Sequence, residues 1–392
     1  MADSDPYDAL LLVSFGGPER PGDVLPFLGN VTRDRGVPPE RLAEVAAHYD
    51  AFGGRSPIND QCRALLAAVR AHFASVGLTT PVYWGNRNWD PYLRDAVAQM
   101  AADGITRAAC FVTSAYSSYS GCRQYREDLF DAAAVVERAD PGRAAHVPRL
   151  DRLRHYFNHP GFVEPVVDAT VAALERLPAP ERQAARLVFV THSIPSAMNL
   201  ASGRHGGGGG EAYVQQHRDV AAAVASRVAS ATGADRGRDL AYCSRSGPPQ
   251  VPWLEPDVND HLRSLHEAGV LGVVVVPIGF VSDHMEVVFD LDTEAAQTAR
   301  RLGLEFARAA TPGVDPRFVA MVGDLLLERA AVERGAAAVP RAVIGRLSAS
   351  WDRCPAGCCA NPRDAERPAL GGAGPGGRPG DGSGEAVACL TP

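Results

Sequence analysis

Lysine is missing from this chain: all 39 Lys+Arg positions are arginine. That excludes a Schiff-base lysine, and with it ordinary pyridoxal enzymes and lysine aldolases. It also excludes a P-loop lysine. No apolar run reaches about 18 residues, so no bilayer-spanning helix is expected. Met1–Pro6 is acidic and lacks a positively charged n-region, so no secretory leader and a cytoplasmic location are expected. Neither expected domain carries G-x-G-x-x-G, which leaves a nucleotide cofactor without support. G-x-S-x-G is missing as well, which argues against a serine hydrolase. The eight cysteines are scattered apart from a group near the end, unlike a secreted disulfide framework. With 46 acidic against 39 basic residues the net charge is −7, and no basic block occurs, so nucleic acid is not an expected partner.

What is there fits a globular protein: 392 residues, 46% hydrophobic and 22% charged. Short apolar runs alternate with amphipathic stretches. Strands are expected at Ala9–Ser14, Pro81–Trp84, Ala108–Thr113, Leu187–Thr191, Leu240–Cys243 and Val270–Ile278. Helices are expected at Pro38–Tyr49, Asp60–Ser75, Asp90–Ala102, Glu211–Ala231, Asp257–Ala268 and Asp315–Arg334. Apolar strands alternating with helices predict parallel sheets covered on both faces. The alternation restarts after the polar Ala139–Arg152 stretch, so the expectation is two tandem α/β domains, at 5–150 and 151–307. A helix within 308–335 completes the first. Residues 340–392 carry cysteines and then Gly and Pro, and are expected to be largely disordered. Gly206–Gly210 lacks a following Lys-Ser/Thr and reads as a flexible loop.

Ligands of open parallel sheets bind beyond the carboxyl ends of the strands. Those ends hold small, aromatic and polar residues together, which suits a flat, partly apolar ligand. His192 follows a buried strand, where an imidazole serves as a base, a metal ligand or a hydrogen-bonded structural group. Glu286, Asp290 and Glu294 recur at i, i+4 and i+8, with no cation before Arg300. Such a row is either a solvated helix face or a path for cations or protons. One imidazole and one carboxylate facing each other would suit transient binding of Fe2+.

Thr191-His192-Ser193-Ile194-Pro195, Ser244-Arg245-Ser246-Gly247-Pro248-Pro249 with Trp253-Leu254-Glu255-Pro256, and Pro277–Glu286 resemble the ferrochelatases. Leu12–Pro18 and Gly53-Gly54-Arg55-Ser56-Pro57 agree, and the resemblance spans about residues 8–335. The closest branch is the ferrochelatases of GC-rich Gram-positive bacteria, which use coproporphyrin III. The resemblance implies two Rossmann-like domains with a porphyrin cleft between them. It implies insertion of Fe2+ into coproporphyrin III with loss of two protons, in haem biosynthesis. Alternatives are a protoporphyrin IX ferrochelatase, a non-catalytic porphyrin- or haem-binding protein, and cobalt insertion into an open tetrapyrrole.

By motif, His192 and Glu286 become the catalytic, iron-binding pair, Ser56 and Tyr125 porphyrin contacts, and Asp283 and His284 part of the same loop. The acidic ladder with Asp290 and Glu294 lies on a π-bulged helix in the family. Coproporphyrin has four carboxylates, which a lysine-free chain must meet with arginine, backbone N–H or hydroxyls. Arg33, Arg35 and Arg55 are the candidates. Glu19 stands where some relatives carry a tyrosine ligand to product iron. Cys354, Cys358 and Cys359 resemble the C-terminal ligands of a [2Fe–2S] cluster, with Cys243 or Cys389 as the fourth. The other reading is a set of exposed thiols in a loose tail. Cys62, Cys110 and Cys122 read as buried packing residues. No stable membrane insertion is expected, and a monomer or weak dimer is.

Overall fold

Successive strand residues point to opposite faces of a sheet. In β1 (Ala9–Ser14) both sets are apolar: Leu10 and Leu12 enter one core, and Ala9, Leu11 and Val13 another. In the computed structural model, which describes residues 3–33, 36–139, 147–203 and 209–372, β1 lies inside a parallel sheet. Its partners are β2 (Val82–Asn86), β3 (Arg107–Val112) and β4 (Arg149–Arg152), in the order β2-β1-β3-β4. A second parallel sheet repeats that topology. It contains β5 (Arg186–His192), β6 (Arg238–Cys243), β7 (Gly272–Val276) and β8 (Glu305–Arg308), in the order β6-β5-β7-β8. In β5 and β7, Leu187, Phe189, Val274 and Val276 fill one face, and Val188, Val190, Val273 and Val275 the other.

Helices α1 (Val24–Val31) and α2 (Pro39–Asp50) form a hairpin with its own small core. They are followed by α3 (Ile58–Ser75), α4 (Leu93–Ala102) and α5 (Gln124–Ala139). The second half brings α6 (Pro160–Glu175), α7 (Ala179–Ala184), α8 (Ser196–Ala201), α9 (Ala212–Thr232), α10 (Val258–Glu267) and α11 (Ala296–Leu302). Two π-helical stretches, Tyr119–Arg123 and Val287–Ala295, lead into α5 and α11. Last comes α12 (Pro316–Glu333), packed on α3 and α6. The largest core joins both sheets: Phe111 and Phe189 share it with Phe162 of α6, Val224 of α9 and Phe318 of α12. The result is a pair of Rossmann-like α/β halves. Among the described residues no helix is long and apolar enough to cross a membrane.

Three expectations need correction. Strands β4 and β8 were not expected, because Arg149-Leu-Asp-Arg and Glu305-Phe-Ala-Arg carry charge. Both are sheet edges, where charge is tolerated and is here paired: Asp151 with Arg107, and Arg308 with Asp283 and Asp292. A boundary at 150 therefore cuts through β4. The helix expected from Asp90 begins at Leu93, after a cis Asp90–Pro91 bond.

The tail is the largest correction. Residues 340–372 lack apolar periodicity, yet they lie against the fold. Asn158 Nδ2 donates to the Leu347 carbonyl at 2.7 Å, Asp219 accepts from the Arg346 N–H at 2.9 Å, and Arg126 Nε donates to the Leu370 carbonyl. Partners far away in sequence hold this segment, which is why local pattern missed it. Residues 373–392, 204–208 and Arg35, which include the Gly/Pro-rich end, Cys389 and most of the glycine run, lie outside the described residues.

Candidate active site

His192 is the last residue of β5 and pairs in register with Cys243 of β6. Its Nδ1–H donates to the Ser193 carbonyl, which turns Nε2 outward. Tyr213 of α9 braces the same peptide: its hydroxyl donates to the His192 carbonyl at 2.7 Å and lies 2.8 Å from Thr191 Oγ1. Nothing in the sequence pattern singled Tyr213 out, because its role depends on where α9 docks.

Glu286 enters from the loop after β7, at the start of the π-helical stretch. Its Oε1 lies 3.5 Å from His192 Nε2, and its other oxygen 3.8 Å from His284 Nδ1. Gly279 allows the loop to pass this close to β5. Its N–H donates to the Val190 carbonyl at 3.2 Å, and a Cβ there would stand 2.6 Å from Thr191 Cβ. The same loop touches the first half: the Asp283 N–H donates to Gln61 Oε1 of α3 at 2.8 Å, and Tyr116 to the Ile278 carbonyl at 3.0 Å. Phe289 also stacks on His48 of α2, with centroids 4.0 Å apart.

The pair carries opposite charges. Burial lowers the His192 pKa, but the Glu286 charge and hydrogen bond outweigh it and raise it to about 9. Burial raises Glu286, but His192 brings it down to about 2. The side chains stay 31% and 47% exposed, so cleft water screens the pair and no large stabilisation is assigned to it. What the pair adds to stability through His192 is full below the ordinary value of 6.5 and lost as pH rises through about 9. The Glu286 part is present above 4.5 and lost as pH falls through about 2.

A divalent metal must displace the His192 proton. We therefore expect Co2+ affinity to rise roughly tenfold per pH unit up to about 9 and then level off. Titrations followed by cobalt absorbance would contradict this if affinity were flat above the ordinary histidine pKa.

The carboxylate row leads away from this pair. Asp290 accepts from Ser244 Oγ; burial, with the negative Glu286 adding, raises its pKa to about 7. Glu294 is exposed and lines a polar groove of about 360 Å³ with Asp257, Asp260, Arg263 and Arg301. The row sits on π-helical backbone, where Thr293 Oγ1 donates to the carbonyl of Val288, five residues back, at 3.1 Å.

The remaining candidates lie apart from the pair. Ser56 is buried against Gly17, whose added Cβ would meet Ser56 Cβ at 2.8 Å. Tyr125 is buried in the outer core of the first half, with the Arg87 guanidinium 4.4 Å from its ring centre. Arg33 binds Asn30 Oδ1 at 2.8 Å, and Arg55 pairs with Asp60. Glu19 accepts from Asn59 Nδ2 at 2.9 Å and pairs with Arg63. Asp283 faces Arg308 and Thr311 rather than the pair.

A Ferrochelatase family model matches residues 7–330. The chain belongs to the ferrochelatase family. It is 58% identical over 374 residues to the "Coproporphyrin III ferrochelatase" of Streptomyces coelicolor, covering 95% of this chain and 97% of that one. It is 57% identical over 376 residues to the protein of the same name from Streptomyces griseus, covering 95% and 98%. Among solved structures, "SirB from Bacillus subtilis with Fe3+" aligns with a TM-score of 0.48 and 12% identity, over 85% of this chain and 99% of that chain.

The family-model match ends at residue 330, before the C-terminal cysteines, which gather apart from the pair. Cys354, Cys358 and Cys359 are buried together with Cys122 of the first π-helical stretch. Cys358 and Cys359 sulfurs are 3.8 Å apart, and the Gly203 N–H donates to Cys359 Sγ at 3.4 Å. Of the two residues expected as a fourth member, Cys243 instead ends β6, with its sulfur 3.7 Å from the Thr191 carbonyl, and Cys389 lies outside the described residues. Cys122, expected as a packing residue, is the fourth cysteine of this group, because tail docking brings the other thiols to it. The sulfurs adjoin without converging: among the described residues no group of three or more His, Cys, Asp or Glu side chains is gathered as around a metal ion.

Proposed function

We propose that this ferrochelatase inserts Fe2+ into coproporphyrin III with release of two protons, in the cytoplasm, as a monomer or weak dimer. The observation that carries this reading is the His192–Glu286 pair, 3.5 Å apart, one at the end of β5 and the other after the loop that follows β7. The relatives' name supplies the substrate, and the imidazole–carboxylate chemistry agrees with it. A free-base porphyrin is planar, and its two N–H protons block the metal. Bending it costs about 1–5 kcal/mol, which remote contacts must supply. Ser56, Tyr125, Arg33 and Arg55 belong to that role. Arg55 and Arg33 are exposed and can change partners to meet substrate carboxylates. For the buried Ser56 and Tyr125 the role is indirect, through shaping of the cleft wall.

Glu286, anionic at neutral pH, receives Fe2+. His192, once its proton has been displaced, binds the metal through Nε2; when the metal has passed to the macrocycle, the freed Nε2 can take a pyrrole proton. Asp290, titrating near neutrality, passes protons towards the exposed Glu294. An anaerobic assay with Fe2+ and either porphyrin tests the reading. A metalloporphyrin spectrum should form from coproporphyrin III with the higher kcat/KM. Preference for protoporphyrin IX selects that substrate instead, and tight binding without metallation selects a carrier.

The reading includes a [2Fe–2S] cluster held by Cys122, Cys354, Cys358 and Cys359. Four buried thiols supply the number of ligands such a cluster needs, though their sulfurs would have to draw together to hold it; the arginine surround described below would balance its charge. When bound, the group supplies iron–thiolate bonds and one-electron redox chemistry. Cys122→Ser should remove acid-labile sulfide from anaerobically purified protein. Sulfide retained at the wild-type ratio would reject Cys122 as a ligand.

A further inference from the structure

Buried cations need anions. Among the buried guanidiniums, Arg154 meets Glu328 at 2.6 Å and Arg329 meets Glu333 at 2.7 Å, as the half-buried Arg107 meets Glu333 at 2.6 Å. Two do not follow that pattern. Arg152, the last residue of β4, is 6% exposed, and its Nη2 lies 3.9 Å from Cys354 Sγ. Arg126 of α5 is 2% exposed; its Nε donates to the Leu370 carbonyl, and its Nη1 has no hydrogen-bond partner among the described residues. The added Cβ of Gly372, beside Cys354, would run into the Arg126 guanidinium.

Desolvating an unpaired guanidinium costs several kcal/mol. Four neutral thiols would not offset that cost, whereas four metal-bound thiolates would. An oxidised [2Fe–2S] centre on four thiolates carries a net charge of minus two, and one electron makes it minus three.

We propose that Arg152 and Arg126 are the counter-charges of the four-cysteine site, placed to retain an anionic cluster and to favour its reduced form. This rests on the cluster reading above. The two residues act through charge and not as ligands. Positive charge close to the sulfurs stabilises the extra electron and so raises the reduction potential. The Gly203 N–H on Cys359 works in the same direction.

The test uses the full chain, purified anaerobically, with iron and sulfide measured and the cluster titrated with dithionite under mediators. Visible and EPR spectra report the midpoint. Arg152→Gln should weaken the preference for the reduced form roughly tenfold, about 59 mV towards more negative potential. Arg152→Lys should stay near wild type, and Arg126→Gln should shift in the same direction as Arg152→Gln. Sulfide lost from Arg152→Gln but kept by Arg152→Lys, with circular dichroism unchanged, also supports the charge role. An unmoved midpoint in a cluster-bearing Arg152→Gln overturns it, as does equal loss of sulfide from both Arg152 variants. Wild-type protein without sulfide overturns the cluster reading itself, and the counter-charges with it.

Discussion

His192→Ala lowers kcat/KM for Fe2+ insertion by about a thousandfold, within the range that removal of a general base typically costs. The effect should be large because one ring has two duties. Its Nδ1–H is fixed on the Ser193 carbonyl, so Nε2 alone faces Glu286 and the cleft. Alanine removes both the metal ligand and the proton acceptor, and leaves Glu286 without the cation that holds its pKa at about 2. Porphyrin binding should survive, since the macrocycle is held elsewhere. The check is anaerobic metallation alongside porphyrin fluorescence quenching. Full turnover in this variant would remove His192 from the mechanism.

Gly279→Ala destabilises the fold by about 3 kcal/mol, the upper end of ordinary overpacking. The new methyl would stand 2.6 Å from Thr191 Cβ and 2.8 Å from Thr191 Cα, too close for any rotamer change to relieve fully. Either the end of β5 or the loop must move. Because β5 ends in His192 and the loop ends in Glu286, the 3.5 Å approach of the pair is disturbed as well. A fall in Tm of roughly 4 °C is expected, with kcat reduced more than porphyrin affinity. An unchanged melting curve would show that the loop has slack that these contacts do not suggest.

The main strands and the doubled α/β pattern could be read directly from the chain. Val188–Val190 and Val273–Val276 are apolar on both faces, which only a strand buried between two helix layers requires. The His192 and Glu286 motifs were legible for a related reason: each interrupts an apolar strand end with chemistry that packing does not need. Edge strands β4 and β8 were not legible, since one open flank lets them carry arginine and acid. Cys122 looked like a packing residue, and the tail like disorder. Neither has a local pattern, and what defines both is contact between segments far apart in the chain, Cys122 with Cys354 and Arg126 with Leu370.

Local spacing and residue type thus determined the layers, the strand ends and the two kinds of reactive group that stand there, because these follow from periodicity and burial along the backbone. Distances across the chain were decided by tertiary structure alone. The approach of Glu286 to His192 over Gly279, the hydroxyl of Tyr213 behind the imidazole, and the meeting of four cysteines beside two arginines each depend on how separate elements dock. Docking is set by the shape and charge of whole faces, which a one-dimensional pattern does not contain.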